Sequence, residues 1–167
     1  MGFISNLGAN HGEWYDYSNK NNGGTMSELA EQFIEKWHEG VDERSFEKIN
    51  DLLADGIELI SPVAFRPITD RQYILKVLEN VITTIEGFHY TRSTALSDGG
   101  VLLIFEGKVD GLNIEGMDLF DLDDQGRATR LKVMLRPYKA YSTFAFKMAE
   151  RMGIKSFKMK LLKFLVS

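Results

Sequence analysis

Phe88 to Arg136 reads FHYTRSTAL-SDGG-VLLIFEGKV-DG-LNIEGMDLFDL-DDQG-RATRLKVMLR, and this stretch decides the fold. Phe88–Leu96, Val101–Val109, Leu112–Leu122 and Arg127–Arg136 carry aromatic, β-branched and aliphatic residues at period two, as strands do. Ser97-Asp98-Gly99-Gly100, Asp110-Gly111 and Asp123-Asp124-Gln125-Gly126 lie between them and have turn chemistry. Strands so closely joined pair as an antiparallel meander. Its apolar face needs cover.

The residues before Phe88 supply that cover. Thr25 with Glu28, or Ser27 alone, can cap a first helix, with Leu29, Phe33, Ile34 and Trp37 on one apolar face and Gly40 as its stop. A second helix is expected from Ser45, burying Phe46, Ile49, Leu52 and Leu53. Gly56–Ser61 reads as a short strand broken by Pro62. Thr69 and Gln72 have capping-box spacing and launch a third helix, with Tyr73, Ile74, Val77, Leu78, Val81 and Ile85 inward. Pro137 ends the last strand, and Tyr141, Phe144, Ala145, Met148 and Met152 predict a short final helix. The expected class is α+β, a curved sheet over three N-terminal helices around an apolar pocket.

Flanking segments differ from this body. Residues 1–25 end in Asn-Lys-Asn-Asn-Gly-Gly before Thr25 and read as a flexible leader or upstream extension; the alternative is that Phe3, Ile4, Leu7, Trp14, Tyr15 and Tyr17 dock on the body. Residues 26–153 form the domain. Residues 154–167 read as a basic amphipathic helix, with Ile154, Phe157, Leu161, Leu162 and Leu165 on one side and Lys155, Lys158, Lys160 and Lys163 between them. Such a helix covers an apolar strip on its own body or partner, or lies on an anionic membrane.

Composition narrows the function. The 167 residues suffice for one domain with a proper core. A net charge of −4 argues against general nucleic-acid affinity, which needs a basic surface. With no cysteine, a disulfide framework, a thiolate zinc site and a cysteine nucleophile are excluded, and a reducing cytoplasm is the compartment that suits the chain. No apolar run is long enough to span a bilayer, and no signal peptide is legible at the N-terminus. Neither a phosphate loop nor a dinucleotide fingerprint occurs, and no cofactor is expected.

Three local stretches carry a family likeness: Phe33-Ile34-Glu35-Lys36-Trp37-His38, Leu59-Ile60-Ser61-Pro62-Val63, and Gly116-Met117-Asp118-Leu119-Phe120-Asp121-Leu122 leading to Asp124-Gln125-Gly126-Arg127. In this order they resemble the nuclear transport factor 2-like superfamily, on its SnoaL-like polyketide cyclase and ketosteroid isomerase-like branch. The resemblance implies a cone-shaped mixed sheet with a central pocket and a homodimer through the outer sheet face. Met117 and Leu119, opposite Asp118 and Phe120, fit a strand covered on both sides.

Asp118 is the first candidate for chemistry. It shares a strand face with Phe120 and Leu122, and a carboxyl among apolar neighbours has its pKa raised. Kept neutral, it can donate to a developing oxyanion, as a protonated aspartic acid does in ketosteroid isomerase. The resemblance carries that role to Asp118. It does not carry the rest: the position matching the tyrosine donor is Phe33, and the one matching the general-base aspartate is Ser61. Steroid-type isomerisation is therefore not expected, and Asp118 as a structural group stays open beside catalysis.

An epoxide-hydrolase site would need an arginine between acids. Arg136 is the nearest material, but it alternates away from Leu131, Val133 and Leu135, so a rim position or an ion pair is its expected role. Alternation assigns the pocket to Phe33 and Trp37, to Leu59, Ser61 and Phe65, and to Leu103, Phe105 and Phe120 with those three. Any of these can equally be core. His11 lies in the leader and His38 reads as solvated; His89 is kept as a minor acid-base candidate. No spacing suggests a metal, and Asp121, Asp123 and Asp124 read as a turn rather than a calcium loop. Three readings remain: an isomerase, cyclase or hydrolase using Asp118 on a small apolar molecule, a non-catalytic binder of such a ligand, and a dimeric interaction module.

Overall fold

A computed structural model describes residues 25–154. Its elements run α1 (Met26–Asp42), α2 (Phe46–Asp51), β1 (Leu53–Ile60), α3 (Arg71–Thr84), β2 (Glu86–Ala95), β3 (Val101–Val109), β4 (Leu112–Leu122), β5 (Ala128–Arg136) and α4 (Tyr138–Arg151). The leader and the basic tail beyond Ile154 lie outside the described residues. Among the described residues, no helix is long and apolar enough to cross a membrane.

The meander forms as its turns require. The five strands order as β1-β5-β4-β3-β2, antiparallel except for the parallel β1–β5 pair. Helices α3 and α4 complete an α+β fold in which the sheet curves over its helical layer. In β4, Ile114, Gly116, Asp118 and Phe120 are buried while Met117 and Leu119 are half-buried on the other face. Register sets Asp118 beside Leu103 of β3 and Val133 of β5.

Several local expectations shift. The Thr25–Glu28 capping box forms at α1, but Gly40 does not end the helix. It lies inside the last turn, where an added Cβ would stand 2.9 Å from Cγ1 of Ile49, so α2 packs closely there against a glycine. Arg44, at φ 53°, makes the turn instead. Leu53 is buried but already opens β1. Asp70, rather than Thr69, caps α3 by accepting from Tyr73 N at 3.0 Å. Its buried stripe is accordingly Ile74, Leu78 and Ile82, and Tyr73 turns to solvent.

Gly116 is the tightest point of the sheet. It sits opposite Phe105, and a Cβ there would lie 2.1 Å from Cζ of the Phe105 ring, which is itself only 1% exposed. The ring lies over the space that a side chain at position 116 would fill. Gly116→Ala is expected to lower unfolding stability by about 1–3 kcal/mol, the usual range for overpacking a filled core. Urea titration of the two proteins checks this; equal midpoints would mean the ring moves freely.

Candidate functional site

Period two on β4 turns Asp118 inward, and the helical repeat on α1 does the same for Trp37. Asp118 is 7% exposed, yet it is a carboxyl with apolar residues on both neighbouring strands. Its Oδ2 accepts from the Tyr90 hydroxyl at 3.2 Å, and Trp37 Nε1 donates to the Tyr90 oxygen at 2.8 Å. A chain of two hydrogen bonds thus crosses from α1 through β2 to β4. The Tyr90 ring stands edge-on to Phe88 at 5.2 Å, and Phe88 stacks on Phe105 at 4.8 Å. Trp37 packs against Phe120 at 4.7 Å.

Electrostatics follow from burial. Removing the Asp118 carboxylate from water pushes its pKa up to about 7, against the opposing pull of the Tyr90 hydrogen bond. Burial, then the charge of Asp118, holds the Tyr90 phenol well above its ordinary value, so it remains a hydroxyl donor. Both face a cavity of about 60 Å³. That volume is far below the few hundred Å³ usual for drug-sized ligands.

Of the expected lining, Trp37, Leu59, Ser61, Phe105, Val133 and Leu135 border this cavity with Asp118. Phe33, Leu103, Phe120 and Leu131 are buried but belong to the packed core on the α1 side. Phe65, at 104% exposure, points to solvent from the loop between Pro62 and Pro67 and does not line the cavity. Ser61 Oγ accepts from Val63 N at 3.3 Å, leaving its own proton available.

Both histidines among the described residues have partners. His89 is exposed, bonded through Nδ1 to Gly87 O at 2.8 Å, and on the face of β2 opposite Tyr90. It cannot serve Asp118. His38 is not simply solvated: Nε2 lies 2.8 Å from Ser93 Oγ, and its ring is 4.8 Å from the Tyr90 ring. Arg136 is exposed and pairs with Glu115 at 2.7 Å on the outer face. Asp123 is occupied by its own turn, accepting from Gln125 N and Arg127 N. Among the described residues, no three acidic or histidine side chains gather as a metal site.

The residue that sequence reasoning missed is Tyr90. Its signal was the alternation Phe88-Tyr90, which puts two aromatic rings on one face of β2 and His89 on the other. Also missed was the helical side of the wall, Val77, Leu78, Val81 and Ile82 of α3 with Phe144 and Met148 of α4.

No family model and no curated protein sequence matches the chain. Solved structures do. A steroid delta-isomerase from Pseudomonas aeruginosa superposes with a TM-score of 0.71 at 28% identity, over 75% of this chain and 92% of that one. An uncharacterized protein with a cystatin-like fold from Silicibacter pomeroyi gives 0.67 at 26% identity, over 77% and 90%. An NTF-2 like protein of unknown function from Burkholderia xenovorans gives 0.56 at 11% identity, over 71% and 95%. The fold is that of the nuclear transport factor 2-like superfamily.

Raising a carboxyl pKa links this site to stability. Between the ordinary value of 3.8 and about 7, the folded chain holds a proton that the unfolded chain has released. Stability from this group is therefore full below the lower value, falls as pH rises through the window, and is flat above it. The loss is on the order of 4 kcal/mol. Asp118→Asn removes this slope, so the variant is expected to match the parent near about pH 4 and exceed its stability near about pH 8. Denaturant titration at both pH values checks it; a difference independent of pH would contradict a raised pKa.

Proposed function

We propose that this chain is an acid-base enzyme of the isomerase or cyclase type, acting on a compact, largely apolar carbonyl compound. The carrying observation is Asp118: a cavity-lining carboxyl with Tyr90 as its hydrogen-bond partner and a pKa of about 7. A base is most effective when its pKa lies near the working pH. A carboxylate of this strength removes protons from carbon only where an adjacent carbonyl makes them acidic. With one such group in an oily cavity, the proton taken from one atom is returned to another, and the net reaction is a rearrangement. Ser61, also on the wall, is positioned by its loop to donate to the oxygen on which charge develops.

The likeness to a steroid delta-isomerase supports the reaction type. It does not support the steroid: Phe33 is packed in the core, Ser61 stands where a base is expected, and about 60 Å³ suits a far smaller molecule. That same volume favours a second reading, in which the cavity is a packing feature of a non-catalytic module.

Deuterium exchange distinguishes the two. Compact cyclic ketones incubated with the protein in heavy water are expected to lose their α-protons by NMR, with a rate that rises through about pH 7 as Asp118 ionises. Asp118→Asn is expected to slow this by about 100-fold or more. No exchange above background with any ketone would leave the non-catalytic reading in place.

Homodimerisation through the outer sheet face belongs to this proposal. Leu102 and Ile104 of β3 pair with Leu119 and Met117 of β4, and Met117 pairs with Met134 of β5, giving a contiguous apolar patch in which Met134 is 46% exposed. Such a patch, rimmed by Arg136, Glu115 and Arg130, marks an interaction surface. Met117→Asp is expected to convert a dimer to a monomer in analytical ultracentrifugation; an unchanged sedimentation coefficient argues for another face. A cysteine-free chain suits a cytoplasmic location.

A further inference from the structure

Resting on the reading of Asp118 as proton carrier, we propose that Trp37 is a positioning residue. Its indole N–H sets the direction of the Trp37–Tyr90–Asp118 chain, so that the proton exchanged by Asp118 sits on Oδ1.

Donor counting carries the inference. An indole N–H can only donate. At 2.8 Å from Trp37 Nε1, the Tyr90 oxygen must therefore accept. Tyr90 has one proton to give, and Asp118 Oδ2, at 3.2 Å, is the acceptor that receives it. Were Oδ2 itself protonated and donating, the Tyr90 oxygen would face two donors, and its own proton would have no hydrogen-bond acceptor among the described residues. A buried donor without an acceptor is unfavourable. Oδ2 is thus reserved as an acceptor, and Oδ1, which has no hydrogen bond among the described residues, takes the proton.

The surroundings leave few competing charges. Helix α1 contributes His38, against the Tyr90 ring, and Asp42, whose charge acts on the Tyr90 phenol. Helices α3 and α4 and strands β1 and β5 present only uncharged side chains to the cavity. Polarisation along a hydrogen-bonded chain strengthens the terminal bond. Trp37 therefore makes Tyr90 a better donor and Asp118 a stronger acid than Tyr90 would alone.

The test follows the Asp118 carboxyl carbon by NMR in protein labelled at aspartate, identified by the resonance missing from Asp118→Asn. Trp37→3-benzothienylalanine keeps the two fused rings without the N–H, and Trp37→Phe removes it with a smaller ring. Each is expected to make Asp118 a weaker acid by about three- to tenfold, the worth of one hydrogen bond. Phe33→Leu, which disturbs the ring stacked 5.6 Å from Trp37 without touching the chain, is expected to leave the titration in place. An unchanged midpoint in the benzothienyl variant, or the same displacement in Phe33→Leu, would overturn the proposal. The measurement uses no substrate, so its outcome is separate from whether ketone exchange is found.

Discussion

Among the described residues, the buried Asp118 carboxyl receives one hydrogen bond, from Tyr90, and the surrounding elements keep that bond out of water. An ionised carboxylate alone in an apolar medium would be strongly disfavoured. Two responses are built in. The group's pKa moves to about 7, so it is neutral part of the time, and Tyr90 meets one oxygen when it is charged. That hydroxyl reaches β4 from the edge strand β2, across β3. For Trp37 to reach the hydroxyl, α1 must lie across the concave face. Sheet curvature, helix placement and the polar chain are thus one geometrical condition.

The remaining contacts serve the same condition. Phe105 lies where Gly116 leaves the space and stacks on Phe88, to which Tyr90 stands edge-on. Trp37 fills the other side against Phe33 and Phe120. A hydrophobic residue at position 118 would avoid the desolvation altogether. Retaining a carboxyl there lowers stability progressively as pH rises from 3.8 to about 7, which is the kind of local conflict that functional sites show.

The fold was legible because β3, β4 and β5 alternate cleanly and are punctuated by glycine turns, and because Thr25 and Ser45 announce their helices. Asp118 was legible for the same reason: parity on β4 places it beside Phe120. Tyr90 was not, because β2 is an edge strand whose inward residues are only half-buried and whose pairing with β3 shifts register at Tyr90/Arg92. Parity there separates Tyr90 from His89, and a weakly patterned strand does not say which face is inner. The helical wall was missed for another reason. Periodicity finds the apolar stripe of α3 and α4, but whether a residue on it meets a void or another side chain depends on distances between elements far apart in sequence. Phe65 reversed its expected role because it lies in an irregular loop between two prolines, where no periodicity constrains it.

The frame shared with a steroid delta-isomerase and the contents of the cavity lead in different directions, and physical size decides between them. A fold accepts many chemistries, so likeness of frame bears on reaction type only where the reacting group is also present. Here a buried carboxyl is present on the strand face the frame provides, while Phe33 is core and Ser61 carries a hydroxyl. A single carboxyl with a directed donor on Oδ2 has one oxygen left to work with. That oxygen can take a proton and give it back, and among the described residues no second carboxyl lines the cavity. On the proposed reading, this favours rearrangements in which one proton travels within one compact molecule over bond-breaking that needs acid and base together.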